Sequence, residues 1–452
     1  MHAGFQSSDA MTPASQTPRR VAIETQGCKL NQADSMALAR EFTAAGFHVV
    51  DATAPFDAYV LNSCTVTHVA DRKARQALRA ARRRNPDATI VATGCYAQRS
   101  PETLREIQDI DIVLGNEDKR AIVSRVLGAV TDATPVSATG LDPIPNSTSD
   151  RTRAMVKIQE GCDQVCAFCI VPRVRGRERS VAPEAVVEDI SRFESLGFKE
   201  VVLTGTQLGS YGFDLPANED LKSLLARILD STTVPRIRVS SLQPQDIDEG
   251  LLELWADPRL CPHFHLPLQS GSDSVLKRMR RRYDADAYEM AVDAVRRQVS
   301  GVAVTADVIV GFPGETDEDF RRTFDLCKRV KFADLHVFPY SPRPGTSAAH
   351  FDDRVAPEKQ SERSRELLAN AVDCASDFGR TFVGTSRPVL WESSRESGAQ
   401  LIWTGLTDNY LRVTTISPAP LANTITDARL DRADDHGLIS EAAIETAPMT
   451  GP

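Results

Sequence analysis

Three observations predict an α/β protein that ends in a small all-β unit. Short apolar runs alternate with amphipathic helical stretches over residues 20–130, and the same alternation returns over 152–340. Strands that alternate with helices pair in parallel, so each region predicts a parallel sheet. After residue 382 the pattern changes to five short alternating runs separated by Gly, Asp-Asn and Pro turns, which predicts a small antiparallel barrel.

In the first region Val21–Thr25, Phe47–Val50, Ala58–Leu61, Thr89–Ala92 and Ile112–Leu114 read as strands of a doubly wound parallel sheet. Asp34–Ala45 reads as a helix by its Met/Leu/Ala spacing and stops at Gly46. Asp71–Arg84 and Pro101–Ile107 read as further helices. Residues 1–19 are polar and rich in Pro, Ser and Thr, which predicts a disordered tail. Residues 131–151 have the composition of a linker.

The second region, 152–381, offers six strand-like runs: Ala154–Ile158, Glu200–Leu203, Arg236–Ser240, His263–Leu268, Val302–Val310 and Leu335–Phe338. Six strand–helix units predict a partial (β/α)6 barrel, with a site at the strand C-termini. Glu358–Phe382 is a helical connector. The last five runs, within 382–446, lie near Arg387–Trp391, Leu401–Thr404, Tyr410–Thr414, Thr424–Ala428 and Gly437–Ser440.

The chemistry is carried by cysteine. Cys162, Cys166 and Cys169 follow the first strand of the second region in a C-x3-C-x2-C run. Soft thiolates on one compact loop suit an iron–sulfur cluster. Three ligands leave one iron of a [4Fe–4S] cube open to a non-protein ligand. Zinc is the alternative, but zinc sites usually pair two separated C-x2-C or C/H units, and no second pair stands here. A second set falls in register: Cys28, Cys64 and Cys95 each follow a predicted strand of the first sheet. Loops after strand C-termini share one edge, so these three converge despite their separation. Packed hydrophobic cysteines are the bland reading of that set. Cys261, Cys327 and Cys374 match no cluster pattern.

The C-x3-C-x2-C run resembles the cluster loop of the radical S-adenosylmethionine (SAM) enzymes. Thr25-Gln-Gly-Cys28-Lys-Leu-Asn31, Asn62-Ser-Cys64-Thr-Val and Thr93-Gly-Cys95-Tyr-Ala-Gln98 resemble the N-terminal domain of the methylthiotransferases within that superfamily. The resemblance implies two [4Fe–4S] clusters, SAM as cofactor and the (β/α)6 barrel. It implies a C-terminal TRAM domain, an OB-like RNA-binding module. It also implies that Gly205 and Gln207 in Leu203-Thr-Gly205-Thr-Gln207, and Gly311, Gly314 and Glu315 in Asp307-Val-Ile-Val-Gly311-Phe-Pro-Gly314-Glu315, bind SAM. His265, Gln269 and Ser270 are expected to line the cavity. His263 and His265 alternate along one strand, so they share a face, packed more readily than metal-bound.

Gly-Cys-Lys-Leu-Asn at 27–31 and Gly205–Gly212 resemble the branch that modifies N6-threonylcarbamoyladenosine at position 37 of tRNA. The alternatives are the isopentenyladenosine branch, a ribosomal-protein substrate, or an iron–sulfur redox sensor that binds RNA. The resemblance further implies an electron-donor protein and a sulfur source as partners. No side chain is expected to act as a catalytic acid or base, because C2–H is inert to such chemistry and a cofactor must carry the step.

Composition bounds the partners. The 452 residues carry a net charge of −9, so RNA contact must come from local basic stripes. Arg82, Arg83 and Arg84 end one basic helix, Arg175 and Arg177 follow the cysteine loop, and Arg281 lies in the Lys277–Arg282 group. Residues 382–446 hold five Arg, no Lys and nine acidic residues, which argues against a purely electrostatic RNA clamp there. No secretory signal, no apolar run long enough for a membrane span and an odd count of nine Cys together predict a cytoplasmic protein with metal-bound thiols.

Overall fold

All six residues of the strand Ala58–Ser63 are buried, because helices cover both faces of the sheet that it centres. The computed structural model describes residues 19–129, 152–216, 219–398, 400–434 and 437–441. The expected tail, up to residue 18, and the expected linker 131–151 lie outside the described residues.

The first sheet comprises β1 (Arg20–Gln26), β2 (His48–Val50), β3 (Ala58–Ser63), β4 (Thr89–Gly94) and β5 (Ile112–Val113), all parallel in the order β2-β1-β3-β4-β5. The helices α1 (Lys29–Ala44) and α5 (Ile122–Ala129) pack Leu38, Phe42, Ile122 and Val126 on one face. The helix α2 (His68–Arg84) packs Ala74, Leu78 and Ala81 on the other, joined by Tyr96 of α3 (Cys95–Arg99) and Leu104 of α4 (Pro101–Arg105). The sheet is therefore doubly wound, as expected. In this strand order the chain reverses its winding between β1 and β3, and crevices open at such a switch point.

The second region forms two three-stranded parallel sheets. One joins β6 (Arg153–Lys157), β9 (Glu200–Thr204) and β10 (Arg236–Val239). The other joins β11 (His263–His265), β12 (Ala303–Val310) and β13 (Asp334–Pro339). Parallel bridges Ile237–Leu260 and Ser241–His265 link β10 to the β11 segment. Six parallel strands thus run in chain order as an open barrel. A short ribbon, β7 (Gln159–Glu160) with β8 (Arg179–Ser180), flanks the cysteine loop. The barrel core also takes in Ala33 and Met36 of α1, so the first sheet and the barrel share one hydrophobic cluster.

The C-terminal sheet differs from the expected antiparallel barrel. Its strands are β14 (Ser386–Ser397), β15 (Gln400–Thr407), β16 (Arg412–Ile416), β17 (Ile425–Arg429), β18 (Arg432–Asp434) and β19 (Gly437–Ser440), in the order β17-β14-β15-β16-β19-β18. Four pairings are antiparallel and β16–β19 is parallel. The β18–β19 hairpin docks on β16 through its returning strand, which carries the buried Leu438, and that sets the parallel pair. Among the described residues β17 and β18 form the two edges, giving a curled mixed sheet rather than a closed barrel. No described helix is long and apolar enough to cross a membrane.

Candidate active site

Register brings the first three cysteines together. Gln26, Ser63 and Gly94 stand in one row across β1, β3 and β4. Cys28, Cys64 and Cys95 follow that row by one or two residues. Gly27 has φ of 145°, and a Cβ there would stand 2.9 Å from Cβ of Cys64, so the two loops approach only because residue 27 is glycine. The thiols differ in setting: Cys28 is exposed, Cys64 intermediate and Cys95 buried. Each has a polar neighbour. Cys28 Sγ lies 3.8 Å from Asn31 Oδ1, the Val66 amide donates to Cys64 Sγ at 3.4 Å, and Asn116 Nδ2 donates to Cys95 Sγ at 3.6 Å.

The second set is built on the loop between β7 and β8. The Cys162 amide donates to Gly176 O, the Cys169 amide to Cys166 O, and the Ala167 amide to Met279 O, which folds the loop back on itself. The Gln164 amide donates to Cys162 Sγ at 3.4 Å, and Arg281 Nη1 donates to Cys166 Sγ at 3.3 Å. Cys162, Cys166 and Cys169 line one cavity of about 330 Å³ with Arg173, Arg177 and Arg280 on its rim. Burial pushes the free Cys162 thiol up to about 11, and those of Cys64 and Cys169 up to about 12, so loading a metal must displace protons. Both sets fit a cluster. Each offers three sulfurs on a shared cavity or edge, with N–H donors and a cation to support thiolates.

The first set and the 162–169 loop meet across a cavity. An open cavity of about 700 Å³ has Cys28 and Cys64 on one wall, and Phe168 of the cysteine loop, Gln269, Asp307, Ile309 and Phe338 on the other. Cys95 packs directly on Ile170 and Val174, just past Cys169. Gln269 holds φ of 64°, unusual for a side chain of its size, and such strain concentrates at functional sites.

Several expected site residues have other duties. Gln207 belongs to a polar chain that runs through Gln243 to Arg281 and so to Cys166, and Gln159 Oε1 accepts the amides of Thr206 and Gln207 beside Gly205. Gly311 and Glu315 instead face the helix Pro357–Arg380: Gln360 donates to Gly311 O, and Arg363 pairs with Glu315 at 2.6 Å. Gly314 abuts the Arg278 guanidinium. Ser270 is bonded to Thr323 away from the cavity, whereas Gln269 lines it. His265 is buried against Thr305 (2.9 Å) and Asp307 (3.4 Å).

Two expected RNA contacts are engaged within the protein: Arg175 is 4% exposed and bound to Asp34, Glu160 and Asn31, and Arg281, of intermediate exposure, donates to Cys166, Tyr283 and Gln243. Arg82 caps the chain at Pro86 O and Ala88 O and pairs with Asp111, and Arg84 is bonded to Ala52 O over Phe56. Arg83 is exposed, as is Arg177, which pairs with Asp163.

Sequence reasoning missed two buried clamps between the first sheet and the barrel. Asp34 accepts from Lys157 and Arg175, and these neighbours with Lys119 hold its carboxyl well below the usual range despite burial. Arg343, 2% exposed, donates to Thr65 Oγ1 and Asp71 Oδ2 beside the Cys64 loop. Asp34 stood at the start of a predicted helix and Arg343 in a Pro-Arg-Pro-Gly turn. Neither gave a signal in one sequence.

Comparison with known proteins agrees with this layout. Residues 20–115 match a family described as uncharacterized protein family UPF0004, and residues 156–327 match the radical SAM superfamily. The chain is 39% identical over 405 residues to the threonylcarbamoyladenosine tRNA methylthiotransferase MtaB of Bacillus subtilis, covering 87% of this chain and 89% of that one. It is 35% identical over 448 residues to the tRNA-2-methylthio-N(6)-dimethylallyladenosine synthase of Syntrophobacter fumaroxidans, covering 95% and 98%. Among solved structures it is similar in fold to the radical SAM methyltransferase TsrM of Kitasatospora setae, with a TM-score of 0.54, 16% identity and coverage of 82% and 96%.

Proposed function

The chain belongs to the radical SAM methylthiotransferases of tRNA, and from that premise we propose that it converts N6-threonylcarbamoyladenosine at position 37 to its 2-methylthio derivative. The observation that carries this reading is the shared cavity: Cys28 and Cys64 stand on one wall and Phe168 of the 162–169 loop on the other. A reaction that removes hydrogen from one carbon and puts sulfur on it needs both functions within reach of one atom. When bound, a [4Fe–4S] cluster and SAM supply a carbon radical strong enough to take an inert hydrogen.

The residues have distinct tasks in this reading. Cys162, Cys166 and Cys169 hold the cluster that binds SAM, and Arg281 supplies a positive charge against Cys166. Cys28, Cys64 and Cys95 hold a second [4Fe–4S] cluster that carries the sulfur. Gln207, through Gln243, fixes Arg281. Gly205 would flank SAM beside Gln207, while Gly311, Gly314 and Glu315 would support that strand end from behind, through Gln360, Arg278 and Arg363. Val66 and Phe338, both more than 40% exposed at the cavity, offer apolar faces to a base. An electron-donor protein and a sulfur source are the remaining partners, and the cytoplasm is where they meet tRNA.

The test is nucleoside analysis. Digested tRNA from cells with and without the gene is compared by mass. Loss of 2-methylthio-N6-threonylcarbamoyladenosine supports the reading. Loss of the methylthio group from isopentenyladenosine instead, or unchanged tRNA, overturns it.

A further inference from the structure

The cavity that Cys28 and Cys64 share with Phe168 has two charged side chains on its lining, Asp307 and Lys73. Asp307 is already bonded to His265 and His336. Lys73, on the second turn of α2, is exposed, and among the described residues it makes no hydrogen bond or ion pair. No acid stands beside it on its own helix, because the positions three and four away are Val69, Ala70, Gln76 and Ala77. The acid of α2, Asp71, is turned to Arg99, Arg343 and Thr65.

Two hydroxyls line the same cavity, those of Thr67 and Ser341. Thr67 Oγ1 accepts the Ala70 amide at 3.1 Å, and Ser341 Oγ accepts the His68 amide at 3.5 Å. Each oxygen is used as an acceptor, and each hydroxyl still has its own proton to give. Thr67, Ala70 and Lys73 recur every three residues and all reach the cavity, while Ser341 lines it from the segment after β13. Three unspent donors beside one spent carboxylate suit an anionic ligand. The chemistry of adenosine says which anion arrives. C2 and N6 both lie on the six-membered ring, away from the ribose. A base that reaches the cysteines therefore brings its N6 substituent into this cavity and leaves its phosphates behind it.

We propose that Lys73, with the Thr67 and Ser341 hydroxyls, binds the carboxylate of the threonylcarbamoyl group and so favours an acidic N6 substituent over an apolar one. The inference rests on the substrate reading above and deepens it. A neutral isoprenoid group gains nothing from these donors and has only the apolar lining, Val66, Val69 and Phe338, to pack on. A hydrogen bond between charged groups is worth about 10- to 100-fold in affinity. Lys73 keeps contact with water, so the lower end applies.

The experiment uses the reconstituted full chain and two anticodon stem-loops, one with N6-threonylcarbamoyladenosine and one with its methyl ester, which carry the same phosphates. Wild-type protein should bind the acid about 10-fold more tightly than the ester. Lys73→Met should lower affinity for the acid to that for the ester, with iron content and melting temperature as in the wild type, and Lys73→Arg should keep most of the preference. Equal binding of acid and ester by the wild type overturns the inference without needing any variant. A Lys73→Met loss that is the same on both stem-loops also overturns it, and assigns Lys73 to a backbone phosphate. Wild-type protein that leaves both stem-loops unmodified, yet methylthiolates an isopentenyladenosine one, overturns the substrate reading itself and the inference with it.

Discussion

Arg175 Nη1 lies 2.8 Å from Asp34 Oδ2, and each residue stands six positions after a cysteine of its own set, Cys169 and Cys28. The pair ties the first turns of α1 to the short helix that closes the cysteine loop. It fixes the distance between two loops that lie far apart in sequence, and both groups are nearly fully buried.

Asp34→Ala leaves Arg175 and Lys119 without their shared carboxylate in a buried site. The expected cost is ~3–5 kcal/mol in a denaturant melt, with Asp34→Asn falling between. Because the folded carboxyl is held below its unfolded range, its contribution is present above about pH 4 and drains away as pH falls. A wild-type melt series taken downward from pH 7 should therefore begin to approach the Asp34→Asn series below about pH 4, with most of the difference still present at about pH 3 because the folded carboxyl titrates lower still. Parallel curves would show that the pair adds nothing.

The two cysteine sets should separate by phenotype. Intact reconstituted protein is expected to hold about eight iron and eight sulfide per chain. Cys162→Ala should abolish both SAM cleavage and methylthiolation. Cys64→Ala should keep reductive SAM cleavage and lose the methylthio product. Wild-type methylthiolation by folded Cys64→Ala would reduce Cys64 to a packed thiol.

RNA binding should follow the exposed stripe of α2 rather than its C-terminal run of arginines. Arg72, Arg79 and Arg83 are exposed and lie on one face, whereas Arg82 and Arg84 are spent on the protein's own carbonyls. Replacing Arg72, Arg79 and Arg83 with Ala should lower the slope of log affinity against log salt by roughly three. Arg82→Ala should leave the slope alone and lower stability instead. The reverse pattern would assign the stripe to solvent.

His336 bridges Asp307 (3.1 Å) and Asp334 (3.5 Å), and these carboxylates raise its imidazole to about 10. A raised histidine stabilises the fold fully below its unfolded value, near 6.5, and loses that effect as pH rises toward 10. The melting difference between wild type and His336→Gln should be largest near pH 6 and close by about pH 10. Its side chain is 53% exposed, so solvent screening will keep the difference modest. An NMR titration midpoint near 6.5 would remove the basis for this prediction.

Much of this was legible in the sequence for a physical reason. Parallel strands buried on both faces read as continuous apolar runs, so Ala58–Leu61 and Thr89–Ala92 announced β3 and β4, and the cysteines after them announced one edge. α1 begins at Lys29 rather than Asp34, because Cys28 itself serves as the extended N-cap, a role its chemistry does not advertise. Three-residue β18 was too short to show a period. Arg175 and Arg281 read as candidate RNA contacts, since engagement of a cation inside the protein depends on partners that meet it only through tertiary folding.

The sharing of Ala33 and Met36 with the barrel core has a consequence for how the chain can be divided. α1 serves as an extra stave for a barrel that has only six strands of its own. A fragment that starts at residue 152 would leave Lys157 and Arg175 without Asp34 and would expose apolar surface along β6. An N-terminal fragment ending near residue 129 would likewise present Met36 to water. During synthesis the first sheet emerges long before β6, so its helix must wait, partly uncovered, for the strand that completes it. Sulfur-bearing and radical-generating halves built this way cannot be exchanged as cassettes between relatives unless the α1–β6 seam travels with them.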